Sequence, residues 1–273
     1  PDRAAPEARD PPRAEENQVT APVNDFRQRL QRREQLIGIF ATLGSPALTE
    51  QLAGAGFDWI LLDTEHSPND VPELIAQLQV LAAFDVAALV RPAWSDPVLV
   101  KRVLDAGAQS LLIPYIETAE AAADAVRATR YPPAGIRGVS SGSRAAGYGQ
   151  RADYLRTADE QICVLVQIET RLGLDNLEAI AAVPGVDGVF IGPNDLAASM
   201  GHLGRATHPD VLAAVDDAFA RLAALDVASG YLTADPDEAR RVAAKGVHVM
   251  GVATDTSIVN TGAAAVRAGV QRP

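Results

Sequence analysis

Residues 164–196 read VLVQIETRLGLDNLEAIAAVPGVDGVFIGPNDL, and their pattern predicts a strand, a helix and a second strand. The first apolar run ends at Glu169 and the second ends at Gly-Pro-Asn-Asp, residues 192–195. In a parallel barrel, the carboxyl ends of the strands form the face that carries catalysis. This unit therefore predicts two carboxylates at that face, and they form either a metal site or a pair of unrelated surface acids.

The same alternation of strands and helices continues along the chain. The predicted strands are Ile37–Leu43, Trp59–Thr64, Ala87–Pro92, Ser110–Ile116, Ile162–Ile168, Gly188–Ile191, Ala228–Leu232 and Val247–Val252. The predicted helices between them are Pro46–Ala55, Val71–Ala83, Pro97–Ala106, Ala119–Arg130, Leu172–Ala182, Pro209–Leu225, Pro236–Lys245 and Ser257–Ala268. Eight such units predict an α/β protein with a (β/α)8 TIM barrel. A doubly wound open sheet is the alternative, but no glycine-rich dinucleotide turn follows the first strand.

The chain is expected to form one domain. Residues 1–22 are polar and proline-rich and predict a disordered extension, and residues 23–273 predict the barrel domain. A solvated helix is expected over Asn24–Glu34, with Phe26 and Leu30 facing inward. Two loops are unusually long, at residues 131–155 and 200–208. The first could reach the active site, the opposite end of the barrel or a subunit interface.

Composition excludes several classes of partner. The formal net charge of −11 argues against nucleic acid and anionic membranes. Apolar runs are too short to span a bilayer, and the first twenty residues do not resemble a secretory signal. Cys163 is the only cysteine and lies in an apolar strand, so we expect a core thiol and no disulfide. These features predict a soluble cytoplasmic enzyme.

Lysine is scarce. Lys101 and Lys245 are the only two, and both fall in predicted helices. A lysine that forms a Schiff base would be needed at the carboxyl end of a strand, so an imine mechanism is disfavoured.

Ionisable and amide side chains gather at the predicted strand ends. They are Asp63, Glu65, His66, Arg91, Gln167, Glu169, Asn194 and Asp195. Gln167 and Glu169 are two residues apart, so on a strand they point to the same face.

Glu169 and Asp195 offer hard oxygen ligands without a cysteine or histidine cluster, which suits Mg²⁺, Mn²⁺ or a similar ion. For Asp195 the alternative is a helix N-cap before Leu196. For Glu169 the alternative is an exposed acid at a strand end.

Arg91 and His66 are candidates for chemistry. The Arg91 guanidinium could stabilise the oxyanion of a keto acid or its enolate, and the alternative is a salt bridge to Asp63 or Glu65. His66 is the only one of four histidines at a predicted strand end and suits proton transfer. Its alternative role is to tether a loop.

Five motifs occur in order between about Phe26 and the C-terminus. They are GIFATLGSPALTEQLAGAGFDWILLDTEHSPND, LVRPAW, YPPAGIRGV, VLVQIET and GVFIGPNDLAASMG. Together they resemble the HpcH/HpaI family of class II, divalent-metal-dependent pyruvate aldolases. The resemblance implies a TIM barrel of the phosphoenolpyruvate/pyruvate-domain type.

The resemblance also implies roles for individual residues. Glu169 and Asp195 would bind Mg²⁺, Mn²⁺ or Co²⁺, which chelates pyruvate. Arg91 would hold the keto oxygen and stabilise the enolate. His66 would act as the base with a metal-bound water. Asp63 would lie close by and contact water or the aldehyde oxygen. Gln167 would line the pyruvate pocket, and the backbone around Gly192 and Pro193 would bind the pyruvate carboxylate.

The family pairs its histidine with an aspartate that corresponds to Asp105. Asp105 lies late in the third predicted helix, at the opposite end of its own barrel from the mouth, so it could reach His66 only from a neighbouring subunit. The resemblance accordingly implies a homo-oligomer, typically a hexamer with exchanged C-terminal helices, here Ser257–Ala268.

The expected reaction is reversible aldol cleavage of a 4-hydroxy-2-oxo acid to pyruvate or hydroxypyruvate and an aldehyde, through an enolate held by the metal and Arg91. Oxaloacetate decarboxylation, or condensation by an enolate made that way, is an alternative at the same site. A barrel that binds keto acids without turning them over is a second alternative, which the proton-transfer residue disfavours.

Overall fold

The structure, a computed structural model, describes residues 20–270. Eight parallel strands form a closed barrel in sequence order, and the last strand pairs with the first. The strands are β1 (Leu36–Ala41), β2 (Trp59–Asp63), β3 (Ala87–Arg91), β4 (Ser110–Ile113), β5 (Cys163–Ile168), β6 (Gly188–Ile191), β7 (Ala228–Leu232) and β8 (Val249–Thr254). The predicted TIM barrel is confirmed, and all eight predicted strands are present with changes only at their ends.

Helices surround the barrel and alternate with its strands. They are α1 (Asp25–Gln31), α2 (Pro46–Ala53), α3 (Val71–Leu81), α4 (Pro97–Asp105), α5 (Ala119–Thr129), α6 (Tyr154–Thr157), α7 (Arg171–Asp175), α8 (Leu177–Ala181), α9 (Pro193–Ser199), α10 (Pro209–Ala224), α11 (Pro236–Ala243) and α12 (Asp255–Ala268). The helix predicted over Leu172–Ala182 is interrupted at Asn176, whose side chain donates to the Glu117 carbonyl. The short helices α6 and α9 were not predicted.

Local sequence explains where most of the outer helices begin. At these starts, a side-chain oxygen accepts a backbone N–H of the first turn, which satisfies a donor that has no partner inside the helix. The capping residues include Ser45, Asp70, Asp96, Thr118, Asp235 and Thr254.

The core has two layers. Inside the barrel, large side chains such as Phe40, Trp59 and Phe190 pack together, and Cys163 lies among them. A second layer fills the space between the strands and the helices. Burial on both faces explains why the strands are almost continuously apolar. Burial also raises the pKa of the Cys163 thiol well above its usual value, in agreement with the predicted core thiol.

The chain crosses the bottom of the barrel before β1. In α1, Phe26 and Leu30 are buried against the inner layer, as predicted. Residues 1–19 lie outside the described part of the chain, so the predicted disorder there is untested. Residues 20–22 correct the predicted boundary, because Ala21 is buried and its amide donates to the Thr157 hydroxyl at 2.9 Å. Tertiary contacts order this segment despite its lack of periodicity.

The long loop at residues 131–155 packs on the bottom of its own barrel. The Ala145 amide donates to the Asp105 carbonyl at 3.2 Å, and the Arg144 guanidinium donates to the Ala106 carbonyl at 2.8 Å. Because α4 ends at Asp105, these contacts lie on the face where the strands begin. The loop therefore does not reach the mouth of its own barrel.

None of the described helices combines the length and the apolar character that crossing a membrane would require.

Gly38 in β1 is a sensitive point of the barrel. A Cβ atom here would lie 2.0 Å from Cδ2 of Trp59 and 2.4 Å from its carbonyl oxygen. Trp59 is fully buried and cannot move away. We expect Gly38→Ala to lower the free energy of unfolding by about 3 kcal/mol or more, measured by chemical denaturation. The control is Gly262→Ala in α12, where a Cβ meets open space and stability should change by less than about 1 kcal/mol. Equal denaturation midpoints for Gly38→Ala and Gly262→Ala would contradict the expected clash with Trp59.

Candidate active site

The carboxyl ends of β2 to β6 place one group of polar side chains at the mouth of the barrel. Neighbouring parallel strands end on the same rim, so residues far apart in sequence lie side by side. In strand order, the group contains Asp63, Glu65 and His66, then Arg91, then Tyr115, then Gln167 and Glu169, and finally Gly192 and Asp195.

Arg91 is held by a buried ion pair. Its Nε donates to Oδ1 of Asp63 at 2.9 Å and its Nη2 donates to Oδ2 at 2.8 Å. The two residues are direct register partners on β3 and β2. Its Nη1 lies 3.0 Å from Oε2 of Glu65. The salt bridge that we considered as the alternative role of Arg91 is therefore present, and it fixes the guanidinium at the mouth.

Asp63 is buried against Arg91 at the mouth. Its side chain is 0% exposed, and both oxygens accept hydrogen bonds from Arg91. Oδ1 also accepts the amide of Glu65 at 3.0 Å. Asp63 thus orients Arg91 and the turn that follows β2.

Glu169 lies beside Gln167, as their spacing predicts. The Gln167 side-chain amide donates to Oε2 of Glu169 at 2.6 Å, and the Tyr115 backbone amide donates to Oε1 at 2.9 Å. Glu169 is buried, so its alternative as an exposed acid is wrong. A Cβ on Gly192 would lie 2.8 Å from Oε2 of Glu169, so only glycine allows β6 to approach this carboxylate.

Asp195 lies in the first turn of α9. The N-cap of that helix is Gly192, so the alternative in which Asp195 caps the helix is wrong. Its Oδ1 is 3.4 Å from the Tyr115 hydroxyl. This aspartate is partly exposed and faces the same opening as Glu169.

Tyr115 was not among the predicted site residues. The fourth strand was predicted to run to Ile116, which made Tyr115 a strand residue, whereas β4 ends at Ile113. Tyr115 has a left-handed backbone with φ of 55° and contacts both Glu169 and Asp195. The Pro114 that precedes it is the sequence signal that could have ended the strand earlier.

His66 and Asp105 are far apart within the chain. The His66 side chain is 64% exposed at the rim, and its Nε2 is 3.9 Å from Oε2 of Glu65. Asp105 lies at the opposite face, where its Oδ1 accepts a hydrogen bond from Nη2 of Arg137 at 3.0 Å. Within one chain, the structure therefore does not bring the two predicted partners together.

The mouth contains more negative than positive charge. Among the described residues of this group there are four carboxylates, those of Asp63, Glu65, Glu169 and Asp195, and one guanidinium, that of Arg91. Burial raises the pKa of Glu65 to about 7, with Arg91 opposing the shift and the other acids adding to it. Burial likewise raises the pKa of Glu169 to about 7, although the hydrogen bonds from Gln167 and Tyr115 act to lower it.

These residues fit a divalent cation. Oε2 of Glu65 is buried without a hydrogen-bond partner, since its contact with Arg91 lacks hydrogen-bonding geometry. Glu169 and Asp195 present hard oxygen donors to the same opening, and a cation there would offset the excess negative charge.

A second group with metal-binding residue types lies in the loop before α10 and at its start. His202, His208 and Asp210 bring one ligand atom each within 4.8 Å of one another. However, Nδ1 of His208 accepts the Asp210 amide, and Nδ1 of His202 lies 3.2 Å from the Arg205 guanidinium. Nε2 of His202 also lies 3.3 Å from Oδ2 of Asp210, so the polar atoms of this group already contact one another and the start of α10. We therefore interpret this group as a helix cap.

Cation binding should release protons from the mouth. Raised carboxyl pKa values mean that the metal-free protein loses stability as pH rises from about 4.5 through 7, and a cation reverses this effect. With pKa values of about 7, Glu65 and Glu169 would retain protons below pH 7 that a bound cation would displace. We expect proton release on Mg²⁺ addition, measured in a pH-stat, to fall towards zero by about pH 9. Glu50→Gln, which changes an exposed acid on α2, is the control and should release as many protons as the parent protein. Mg²⁺ binding without proton release at pH 6.5 would contradict these pKa values.

Comparison with known proteins identifies the family of this chain. Residues 36–261 match the family model described as HpcH/HpaI aldolase/citrate lyase. The chain is 51% identical to a hydroxypyruvate/pyruvate aldolase of Pseudomonas aeruginosa, over 87% of this chain and 89% of that protein. It is 48% identical to a 4-hydroxy-2-oxo-heptane-1,7-dioate aldolase of Klebsiella pneumoniae, over 90% of this chain and 93% of that protein. It also superposes on the crystal structure of an HpcH/HpaI aldolase/citrate lyase family protein of Burkholderia cenocepacia with a TM-score of 0.87 and 44% identity, covering 90% of this chain and 98% of that one. The chain belongs to the HpcH/HpaI aldolase/citrate lyase family.

Proposed function

We propose that this protein catalyses reversible aldol cleavage of 4-hydroxy-2-oxo acids to pyruvate, or hydroxypyruvate, and an aldehyde. The observation that carries the proposal is the grouping at one barrel mouth of an acid pair, Glu169 and Asp195, with a fixed guanidinium, Arg91. Membership of an aldolase family and relatives with aldolase names support it.

Glu169 and Asp195 are the residues that would hold a divalent ion, with Mg²⁺, Mn²⁺ and Co²⁺ as candidates. When bound, such an ion supplies Lewis-acid polarisation of the C2 carbonyl of the substrate. Gln167 keeps Glu169 oriented towards the opening through its 2.6 Å hydrogen bond. The backbone near Gly192 and Pro193 stays our candidate for the pyruvate carboxylate.

Arg91 would stabilise the negative charge that develops on the keto oxygen. A guanidinium has five N–H donors, and the bonds to Asp63 use two of them. The Nη1 group lies near Glu65 and keeps donors for the substrate oxygen. Because its partners are buried, Arg91 is positioned before the charge develops, which is the arrangement that gives large electrostatic stabilisation.

His66 would handle the proton of the C4 hydroxyl. Cleavage removes this proton, the C3–C4 bond breaks as the aldehyde forms, and its electron pair passes into the enolate. Protonation at C3 then gives the product keto acid. Glu65 lies 3.9 Å from Nε2 of His66, and its pKa of about 7 lets it share this proton near neutral pH.

Removal of divalent ions tests this proposal. We expect chelation to lower aldol cleavage and the exchange of pyruvate methyl protons by at least about 100-fold, since metal-ion catalysis contributes several kcal/mol. Added Mg²⁺, Mn²⁺ or Co²⁺ should restore both, in the parent protein and in Glu50→Gln, but not in Glu169→Gln. Full activity in the chelator would contradict the assignment. Oxaloacetate assayed beside the aldol substrates ranks decarboxylation, which the same residues could support.

We further propose that the active enzyme is a homo-oligomer in which Asp105 of one subunit pairs with His66 of another. Within a chain the two lie on opposite faces of the barrel, and Asp105 remains partly exposed beside Arg137. The outer helix α12 also has an uncovered apolar surface. Its exposed side chains, with one just beyond the helix, are Ile258, Val259, Val266 and Val270. A second copy of the chain could cover this apolar surface and also bring an Asp105 close to His66. The family resemblance favours a hexamer. A cytoplasmic location stays a prediction.

Subunit complementation tests the pairing. We expect His66→Ala and Asp105→Ala to be inactive alone, because each lacks one partner of the pair. Dissociation, mixing and reassembly should restore activity in sites where intact residues meet, as measured by aldol cleavage. Mixing each variant with itself is the control. No recovery in mixed oligomers, once their formation is verified by mass, would contradict a shared site.

A further inference from the structure

An exposed aromatic side chain stands beside the carboxylates of the mouth. Trp94 follows β3 by three residues and is 50% exposed, although it is large and apolar. Its ring lies against the ring of Tyr115, with centroids 5.2 Å apart and planes at 31°. Trp59, the only other tryptophan, is fully buried inside the barrel.

Tyr115 connects Trp94 to the reacting centre. Its backbone amide donates to Glu169, and its hydroxyl is 3.4 Å from Asp195. A left-handed φ of 55° is unfavourable for tyrosine, but it is maintained by the contact of the amide with Glu169. Trp94 is therefore one ring away from both carboxylates, at a fixed place on the rim.

The aldehyde of the proposed reaction would pass close to this part of the rim. In the proposed reaction the aldehyde carbonyl meets C3 of the enolate near Glu169 and Asp195, so the rest of the aldehyde must extend outwards along the rim. The polar His66 follows β2 and the exposed indole follows the neighbouring strand β3, so this part of the rim offers one polar and one apolar side chain.

We propose that Trp94 forms the wall of the acceptor site and that this enzyme favours aldehydes with apolar carbon chains. The proposal rests on the function proposed above. The indole face covers one side of the chain, Tyr115 holds the indole, and the reactive carbonyl stays free to approach the carboxylates.

Chain length gives a quantitative test. Full burial of a methylene changes binding about fourfold, so contact on one side should change KM about twofold per methylene. We expect KM for the aldehyde, measured in condensation with pyruvate, to fall about eightfold from acetaldehyde through propanal and butanal to pentanal. Trp94→Ala should weaken this dependence of KM on chain length, and Trp94→Phe should keep most of it.

Two controls separate this proposal from the proposed function. Exchange of pyruvate methyl protons without aldehyde, measured on every variant, reports on the rest of the site. Leu225→Ala removes a similarly exposed apolar side chain after α10, far from the mouth, and should keep both the exchange and the chain-length dependence.

The outcomes are distinct. Absence of exchange in the parent protein would overturn the proposed function. Exchange together with an unchanged chain-length dependence in Trp94→Ala would overturn the acceptor wall alone. A Trp94→Ala protein with an altered molar mass, or with equal losses of exchange and aldehyde binding, would assign the indole to assembly or folding and would also overturn the wall.

Discussion

The site depends on an imbalance of charge that the barrel holds in place. Four carboxylates share the mouth with one guanidinium, and the Arg91–Asp63 pair neutralises only one of them. Burial prevents water from screening the remaining charge, and this raises the pKa of Glu65 and Glu169 to about 7. A protein does not keep such a group stably charged by itself, so the mouth needs either protons or a cation. The proposed metal binding and the proposed proton transfer would therefore have one physical origin.

The same constraint connects the core to the chemistry. The register of β2 and β3 places Asp63 opposite Arg91, and the absence of a side chain at Gly192 lets β6 approach Glu169. Tyr115 adopts an unfavourable backbone conformation so that its amide reaches this acid. These groups are positioned by rigid strands and short turns, which limits the reorganisation needed when negative charge develops on a substrate.

Much of the site could be predicted because strand ends in a parallel barrel share one rim. Periodicity located the strands, so Arg91, Gln167, Glu169 and Asp195 could be grouped before any distance was known. Tyr115 was missed, because the strand that precedes it was predicted three residues too long. The ordered segment at residues 20–22 was missed for a related reason. Its order comes from contacts with residues that are distant in sequence, such as Thr157, and a local sequence pattern does not indicate such contacts.

The sequence by itself determined the barrel and the identity of the candidate metal ligands, because a repeated period of strands and helices has few folded solutions. Only the tertiary structure decided which of these side chains are buried, which are exposed and which contact one another. It showed that Asp63 is buried behind Arg91, that Glu65 is buried beside His66, and that Asp105 lies on the opposite face. Side-chain burial and direction depend on packing between elements distant in sequence. The order of the residues along the chain does not specify these contacts.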